Sequence, residues 1–266
     1  MTPTTKEQAD IELAEEVCTL HGVPFNRVGW AHIVQAHGGR LPIRIRAVAE
    51  GRVVPTHQVL VTVENLDPAC AWLTSFLETA LLRVWYPITV GTNSWMTRQL
   101  IRQFLEETGD PAGLDFKLHD FGARGVSSLE SAMIGGMAHL VNFKGTDTLS
   151  AVLGARTYYQ EPMAGFSIPA AEHSTITAWG RDGEGDAYRN MLRQFGKPGA
   201  IVSVVSDSYD LFAALRMWGT ELRQAVIDSG ATLVIRPDSG DPQTIVMQTL
   251  RALDEAFGSV VNGKGY

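Results

Sequence analysis

Glu172-His173 sets an acid and an imidazole where an apolar run, residues 166–171, gives way to Ser-Thr-Ile-Thr, a helix start. An ordinary turn at such a place uses Gly, Asn or Asp. An imidazole can exchange protons near neutral pH, and it becomes a nucleophile once its other nitrogen is fixed by a carboxylate or carbonyl. The junction is one of a set. His119-Asp120 with Arg124, Lys144 with Asp147, Ser203 with Asp207, and Arg236 with Asp238 all follow or close apolar runs in the same half of the chain. Two arginines, a lysine, several carboxylates and a histidine on one face would suit a substrate with phosphates, a ribose-like polyol and a polar ring.

The elements that must carry these residues alternate. "FKLHDFG" precedes the helical "SSLESAMIGGMA", "HLVNFKG" precedes "TDTLSAVLGARTYY", and "GFSIPAAEH" precedes "STITAWG" and "GDAYRNMLRQF". "AIVSVVSD" then leads into "SYDLFAALRMWGTELRQAVIDS", and "TLVIRPDSG" into "DPQTIVMQTLRALDEAFG". Strand–helix alternation of this kind means βα units on a parallel sheet. In such architectures the carboxyl ends of strands and the helix N-termini face the ligand, and the N-termini favour anions. The expected fold class is therefore α/β. Five units do not close an eight-stranded barrel, so the sheet is open or continues in a longer protein, and a lone open series is expected to be aggregation-prone through its unpaired edge.

Upstream the texture differs, which places a smaller α+β region at 1–110 and the βα series at 111–266. Thr5 to Leu20 reads as a helix with a possible Thr5-x-x-Gln8 capping box, and a short helix near 30–36 ends at Gly38-Gly39. "IRIRAV" and "VLVTVE" alternate like half-buried strands. Residues 67–85, with Asp67 before Pro68, read as one buried helix, and 92–109 as an amphipathic one through Trp95, Met96, Leu100, Ile101, Phe104 and Leu105.

Composition bounds the function. The 266 residues are 45% apolar and carry a net charge of −7, which argues against broad electrostatic binding of nucleic acid. No run of 18 apolar residues is present and the first residues are polar and acidic, so neither a membrane span nor a signal peptide is expected. Cys18 and Cys70 show no metal or redox spacing, which fits a reducing cytosol.

Single residues have plainer explanations. Asp147, Asp207 and Asp238 each stand before a helix and would serve as caps. His139 lies in an apolar run and reads as a satisfied core histidine. His21, His32, His37 and His57 lack acidic or metal-type partners in the sequence and read as surface or core residues. Five polar strand ends in series are much harder to explain in this way than any one of them.

The strings "WYPITVGTNS", "KLHDFGARGVSS", "HLVNFKGTDT", "IPAAEHSTITAWG", "VSVVSDSYD" and "IRPDSGDP" resemble the nicotinamide phosphoribosyltransferases, a type II phosphoribosyltransferase family. "RLPIRIRAVAEG" and "LVTVENLDPACAWL" fit the same pattern upstream, so the resemblance runs from about residue 28 to the end. It implies an irregular α/β barrel beside a second α/β domain. The implied reaction is nicotinamide plus 5-phosphoribosyl 1-pyrophosphate giving nicotinamide mononucleotide and pyrophosphate, a pentosyl transfer in NAD salvage, with Mg²⁺ as cofactor, in a cytoplasmic homodimer. Carried over residue by residue, Phe121 would stack on nicotinamide, Arg124 and Arg236 would hold phosphate oxygens, and Asp238 would take the ribose hydroxyls. Ser203 would line the nicotinamide tunnel, Asp147 would accept from the carboxamide, and His173, fixed by Asp207, would take a phosphoryl group from ATP. Glu172 would be a bystander, since neighbours on a strand point to opposite faces.

The family's N-terminal Asp-Ser-Tyr-Lys string, whose tyrosine stacks on the ring from the partner subunit, has no counterpart here. Its "QGDG" and glycine-rich loops for the 5′-phosphate would come after the final "NGKGY". The sequence thus resembles the central piece of such an enzyme. Three alternatives stand beside it: a nicotinate phosphoribosyltransferase, which a carboxylate at Asp147 disfavours; a catalytically silent binding or dimerising piece; and a sugar-phosphate aldolase or isomerase using Lys144.

Overall fold

The computed structural model describes residues 6–266. The proposed cap residue Thr5 lies outside them. The chain divides into two compact units, residues 1–95 and 96–266.

In the first unit, α1 (Lys6–His21) buries no residue. Helix α2 (Arg27–His37) starts where the Asn26 side chain accepts from the Gly29 N–H, and ends at Gly38 in the left-handed region, φ 59°, where glycine carries no Cβ penalty. The two alternating segments pair antiparallel as β1 (Ile43–Ala47) and β2 (Val61–Asn65). The single buried helix expected over 67–85 does not form. Asp67 caps a 3₁₀ turn at Pro68–Cys70, and α3 (Leu73–Leu82) begins only after it. Of α3 only Leu73 is buried, while Phe76 and Leu82 stand exposed. Ile33, Cys70 and Leu73 form the small core here, covered by Trp30, Trp72, Ile43 and Leu77. The Trp30 ring meets Trp72 and Phe76 edge-on, each at 5.1 Å.

The α4 helix (Trp85–Thr108) matches the expected amphipathic segment and extends it upstream. Its apolar row stays uncovered: Met96, Leu100 and Phe104 are each exposed. Its last turn is tied down by the Lys264 ammonium, which donates to the Leu105 and Glu106 carbonyls, while the Asn262 amide donates to that of Thr108.

The second unit is α/β, and its strands follow one another in chain order. Short β3 (His119–Asp120) pairs parallel with β4 (Gly145–Thr146). Residues 166–171 form no regular strand but hand the ladder on. Phe166 bonds both ways to the β4 edge, at 2.7 and 3.0 Å, and Pro169 and Ala171 bond Ser203 at 2.9 Å each. Pro169 has no N–H to give, which explains why a ladder cannot run through it. β5 (Ile201–Val205) then pairs parallel with β6 (Thr232–Arg236). Sequential parallel order with no reversal is how staves of a barrel are laid, rather than a doubly wound sheet.

Helices α5 (Leu129–Leu140) and α6 (Leu149–Tyr158) pack closely because Gly136 and Gly154 lack side chains. A Cβ at Gly136 would lie 2.4 Å from that of Ala151, and one at Gly154 2.6 Å from Met133 Cγ. Two boundaries differ from expectation. "HLV" completes α5 instead of opening a strand, because His139 is buried and donates from Nε2 to the Gly145 carbonyl at 3.0 Å; burial also pushes its pKa down. The helix expected over 208–229 is two, α9 (Leu211–Gly219) and α10 (Arg223–Ser229). At the break the Thr220 hydroxyl bonds back to the Arg216 carbonyl, a local competitor of helix continuation. Short α7 (His173–Thr177), α8 (Glu184–Phe195) and α11 (Pro242–Phe257) complete the unit.

The main core gathers Val202, Val204 and Val205 of β5 with Tyr188, Leu192, Trp218 and Leu222. Trp218 is fully buried, stacks on Tyr188 at 4.7 Å and donates from its indole to Ser206 Oγ at 3.2 Å. Trp218→Ala is expected to lower unfolding stability by about 3–5 kcal/mol, read from urea denaturation; a cost below about 1 kcal/mol would show that this core collapses around the gap. Among the described residues no helix is long and apolar enough to cross a membrane.

Candidate active site

The strand ends bring the chemistry-bearing side chains into one contact series. Asp147, just past β4, accepts from His119 Nε2 at 2.9 Å and from the Ser167 hydroxyl. The His119 ring lies 4.8 Å from that of Phe121. Arg236, the last residue of β6, holds its guanidinium carbon 6.0 Å from the Phe121 ring centroid. Glu172 then joins the two arginines: Arg124 Nη2 donates to Oε1 at 3.3 Å, and Arg236 Nη2 stands 3.9 Å from Oε2.

Beside them His173, first residue of α7, meets Asp207 Oδ1 through Nε2 at 3.0 Å and has Nδ1 4.0 Å from Asp238 Oδ2. Asp207 is only 4% exposed and its second oxygen accepts from the Asp238 N–H at 2.8 Å and the Ser239 hydroxyl at 2.6 Å. Burial pushes its carboxyl up, but Ser239, the Asp238 amide and His173 together outweigh that and hold it below the usual carboxylate range. A depressed carboxylate stabilises the fold above its unfolded pKa, about 3.9, and that contribution is lost as pH falls through the folded value. Asp207→Asn is expected to cost about 1–3 kcal/mol at pH 7, through the charge-assisted bonds it loses, and to flatten the acid limb of the stability profile. Equal acid limbs in the two proteins would show that Asp207 does not titrate differently on folding.

Arg236 is the least satisfied member. It is mostly buried, its Nε has no hydrogen-bond partner among the described residues, and the Glu172 carboxylate beside it, at 3.9 Å, is beyond hydrogen-bond range. A mostly buried guanidinium with an unused donor has the geometry to take bidentate oxygens of an anion. Arg124 stands out into solvent at the same face, 75% exposed.

The family model described as "Nicotinate phosphoribosyltransferase (NAPRTase) family" matches residues 116–266, the stretch that carries this whole series. The chain belongs to that family. A nicotinamide phosphoribosyltransferase of Xanthomonas campestris pv. campestris is 66% identical over 261 residues, covering 97% of this chain and 56% of the relative. Those of Acinetobacter baylyi and Mycoplasma pneumoniae are 31% and 33% identical, over 88% and 96% of this chain and 51% and 59% of their own lengths. The chain thus spans about half the length of the curated relatives it matches.

Several sequence readings of this phosphoribosyltransferase-family chain change. Lys144 is not at the site end of β4: it precedes the strand, and its ammonium pairs with Asp115 at 3.0 Å. The aldolase reading thereby loses its lysine. Ser203 is not a strand end either; it sits mid-β5, on the opposite face from core residues Val202 and Val204, and is buried. Glu172 is no bystander, because it leaves the strand as the residue before α7 and reaches both arginines. Asp147 does not cap α6, whose preceding residue is Thr148; its carboxylate is committed to His119 and Ser167. Caps are made instead by Asp210 for α9 and Asp241 for α11. Ser167 was not singled out in the sequence. Its one signal is position, on the strand-like run beside β4, two residues after Gly165.

Proposed function

We propose that this chain is the nicotinamide- and phosphate-facing half of a nicotinamide phosphoribosyltransferase. The observation that carries the reading is Arg236: a partly buried guanidinium whose Nε is buried and unpaired among the described residues, near an exposed aromatic ring, Phe121. The transfer forms a bond from the pyridine nitrogen of nicotinamide to the ribose C1 and breaks the bond from C1 to the pyrophosphate oxygen. The pyridine lone pair is already free, so no general base is required. The site's work is alignment and stabilisation of the departing pyrophosphate.

In this reading the ring stacks on Phe121, Arg124 and Arg236 hold phosphate oxygens, and Asp238 takes the ribose hydroxyls. Ser203 lines the tunnel from the inner face of β5. Asp147 accepts the carboxamide NH₂ on Oδ2, which His119 and Ser167 leave open while they bind Oδ1. Glu172 keeps the two guanidinium groups paired until phosphate displaces it. His173 receives a phosphoryl group from ATP. Magnesium usually keeps waters and binds through one or two carboxylates plus substrate phosphates. Asp238, 54% exposed, is the carboxylate here best able to join such a shell, and the ion would supply charge neutralisation at the pyrophosphate. The enzyme is read as cytoplasmic, and the uncovered apolar row of α4 supports a homodimer.

The test uses a protein of the relatives' full length that contains this chain. Nicotinamide and 5-phosphoribosyl 1-pyrophosphate should give nicotinamide mononucleotide and pyrophosphate in equal amounts, and Arg236→Gln should lower kcat/KM by about a hundredfold or more, as loss of one charge-stabilising group does elsewhere. Turnover of nicotinate alone would move the assignment to the nicotinate enzyme, the reading favoured by the name of the matching family. No turnover of either base would leave a binding or dimerising piece.

A further inference from the structure

The histidines of α2 do have acidic partners, which their sequence spacing conceals. His32 Nε2 and His37 Nε2 both meet Asp67 Oδ2, at 2.8 and 2.7 Å. The other oxygen of Asp67 accepts from the Ala69 N–H at 2.9 Å, so the carboxylate is fixed in direction. Cys70 completes the group, because a 3₁₀ turn has about three residues per turn and stacks positions 67 and 70 on one side. Donor atoms of His32, Asp67 and Cys70 all lie within 4.8 Å of one another.

We propose that His32, Asp67 and Cys70 form a binding site for a divalent transition-metal cation of the zinc class, with His37 as the outer partner of the Asp67 carboxylate. Imidazole nitrogen, carboxylate oxygen and thiolate sulfur are the donors zinc takes, at about 2.0–2.3 Å, so tetrahedral ligands sit about 3.3–3.6 Å apart. Closing the group onto an ion therefore needs donor separations to shorten by up to about 1.5 Å, shared between the partners, and the His32–Asp67 hydrogen bond to open by about half an ångström. Three protein ligands leave a fourth position for water.

The protons balance simply. Cys70 gives up its thiol proton to solvent, and His32 keeps its proton on Nδ1 so that the Nε2 lone pair faces the ion. A second use of the same trio, as a nucleophilic cysteine, is disfavoured by access: Cys70 is fully buried and out of reach of a substrate. The cluster also ties α2 to the 3₁₀ turn through Cys70, a member of the small core with Ile33 and Leu73, where one coordinating ion would add a cross-link.

The experiment adds cobalt(II), then zinc(II), to the purified 266-residue chain under reducing conditions. One equivalent of cobalt should give visible bands of tetrahedral intensity and a near-ultraviolet thiolate-to-cobalt band, both removed by zinc, with about one proton released per ion near neutral pH. His32→Gln should weaken zinc by about a hundredfold, and His37→Gln by about tenfold, the usual loss for an outer-shell partner. Cys70→Ser should erase the thiolate band; should that buried change unfold the chain, the two histidine variants, both at part-exposed positions, decide. Absence of the thiolate band in the wild-type cobalt form, or zinc affinity unchanged in His32→Gln, overturns the site.

Discussion

Replacing His173 with alanine is expected to abolish a phosphoryl adduct, labile to acid and stable to base, formed when the full-length protein is incubated with labelled ATP. The structure divides the two nitrogens of this imidazole. Nε2 is committed to Asp207, which is buried and held ionised by two further donors, so the proton belongs on Nε2 and the lone pair on Nδ1. On the proposed function, Nδ1 would attack the γ-phosphorus, forming an N–P bond as the P–O bond to ADP breaks. The Asp238 carboxylate, 4.0 Å from Nδ1, would oppose an arriving phosphate, and the guanidinium groups of Arg124 and Arg236 would offset it. The expected loss in His173→Ala is complete. Asp207→Asn should keep the ring in place but favour the wrong tautomer, an exchange that lowers rates by on the order of 10²–10⁴ where a carboxylate orients a catalytic histidine. Equal labelling of the wild type and His173→Ala would leave the His173–Asp207 pair as a structural contact.

How much of this was legible beforehand follows from the range of the interactions. The βα rhythm was readable because hydrophobic periodicity is local, and so were β1, β2, α8, β5 and α11. The failures lie where tertiary partners overrode local pattern. "HLV" looks like strand until one sees His139 reaching the Gly145 carbonyl, which keeps it helical. The 67–85 run looks like one helix, yet Asp67 and Pro68 spend themselves on a 3₁₀ turn. At the site, residue types at strand ends pointed to Arg124, Asp147, His173, Asp207, Arg236 and Asp238, and the family resemblance added Phe121; the structure places these side chains near one another. Apart from His173–Asp207, which the resemblance implied, the pairings were not legible. Glu172 was set aside by a strand-alternation rule that does not apply to a residue already leaving the strand. His32 and His37 were read as unpartnered because Asp67 is 30 or more residues away in the chain. Sequence spacing reports helix faces and turns well, and contacts across such separations hardly at all.

The same limit bears on base choice, where the structure removes the plainer explanation. Asp147→Ser is expected to collapse the preference for nicotinamide over nicotinate, compared as kcat/KM in the full-length protein. Had Asp147 capped α6, the serine would have kept a capping hydroxyl and both bases would have been affected alike. The carboxylate makes no such cap; Oδ1 is held by His119 and Ser167, and those donors, with the positive field of Arg236, outweigh the upward push of burial and keep it ionised. An ionised acceptor suits a carboxamide NH₂ and repels a carboxylate. Two unit charges about 4 Å apart repel by about 4 kcal/mol at an effective dielectric near 20 and by about 1 kcal/mol in bulk water. With its side chain 37% exposed in this chain, Asp147 lies between those limits. The discrimination expected from it is then about fivefold at the wet limit and several hundredfold at the dry one, since about 1.4 kcal/mol is tenfold. His119→Gln provides the control for positioning: a donor to Oδ1 remains, so selectivity should hold while kcat/KM for nicotinamide falls modestly through the lost ring contact with Phe121. A nicotinamide-to-nicotinate ratio unchanged in Asp147→Ser would mean that the bases are sorted by the tunnel's shape and not by this charge.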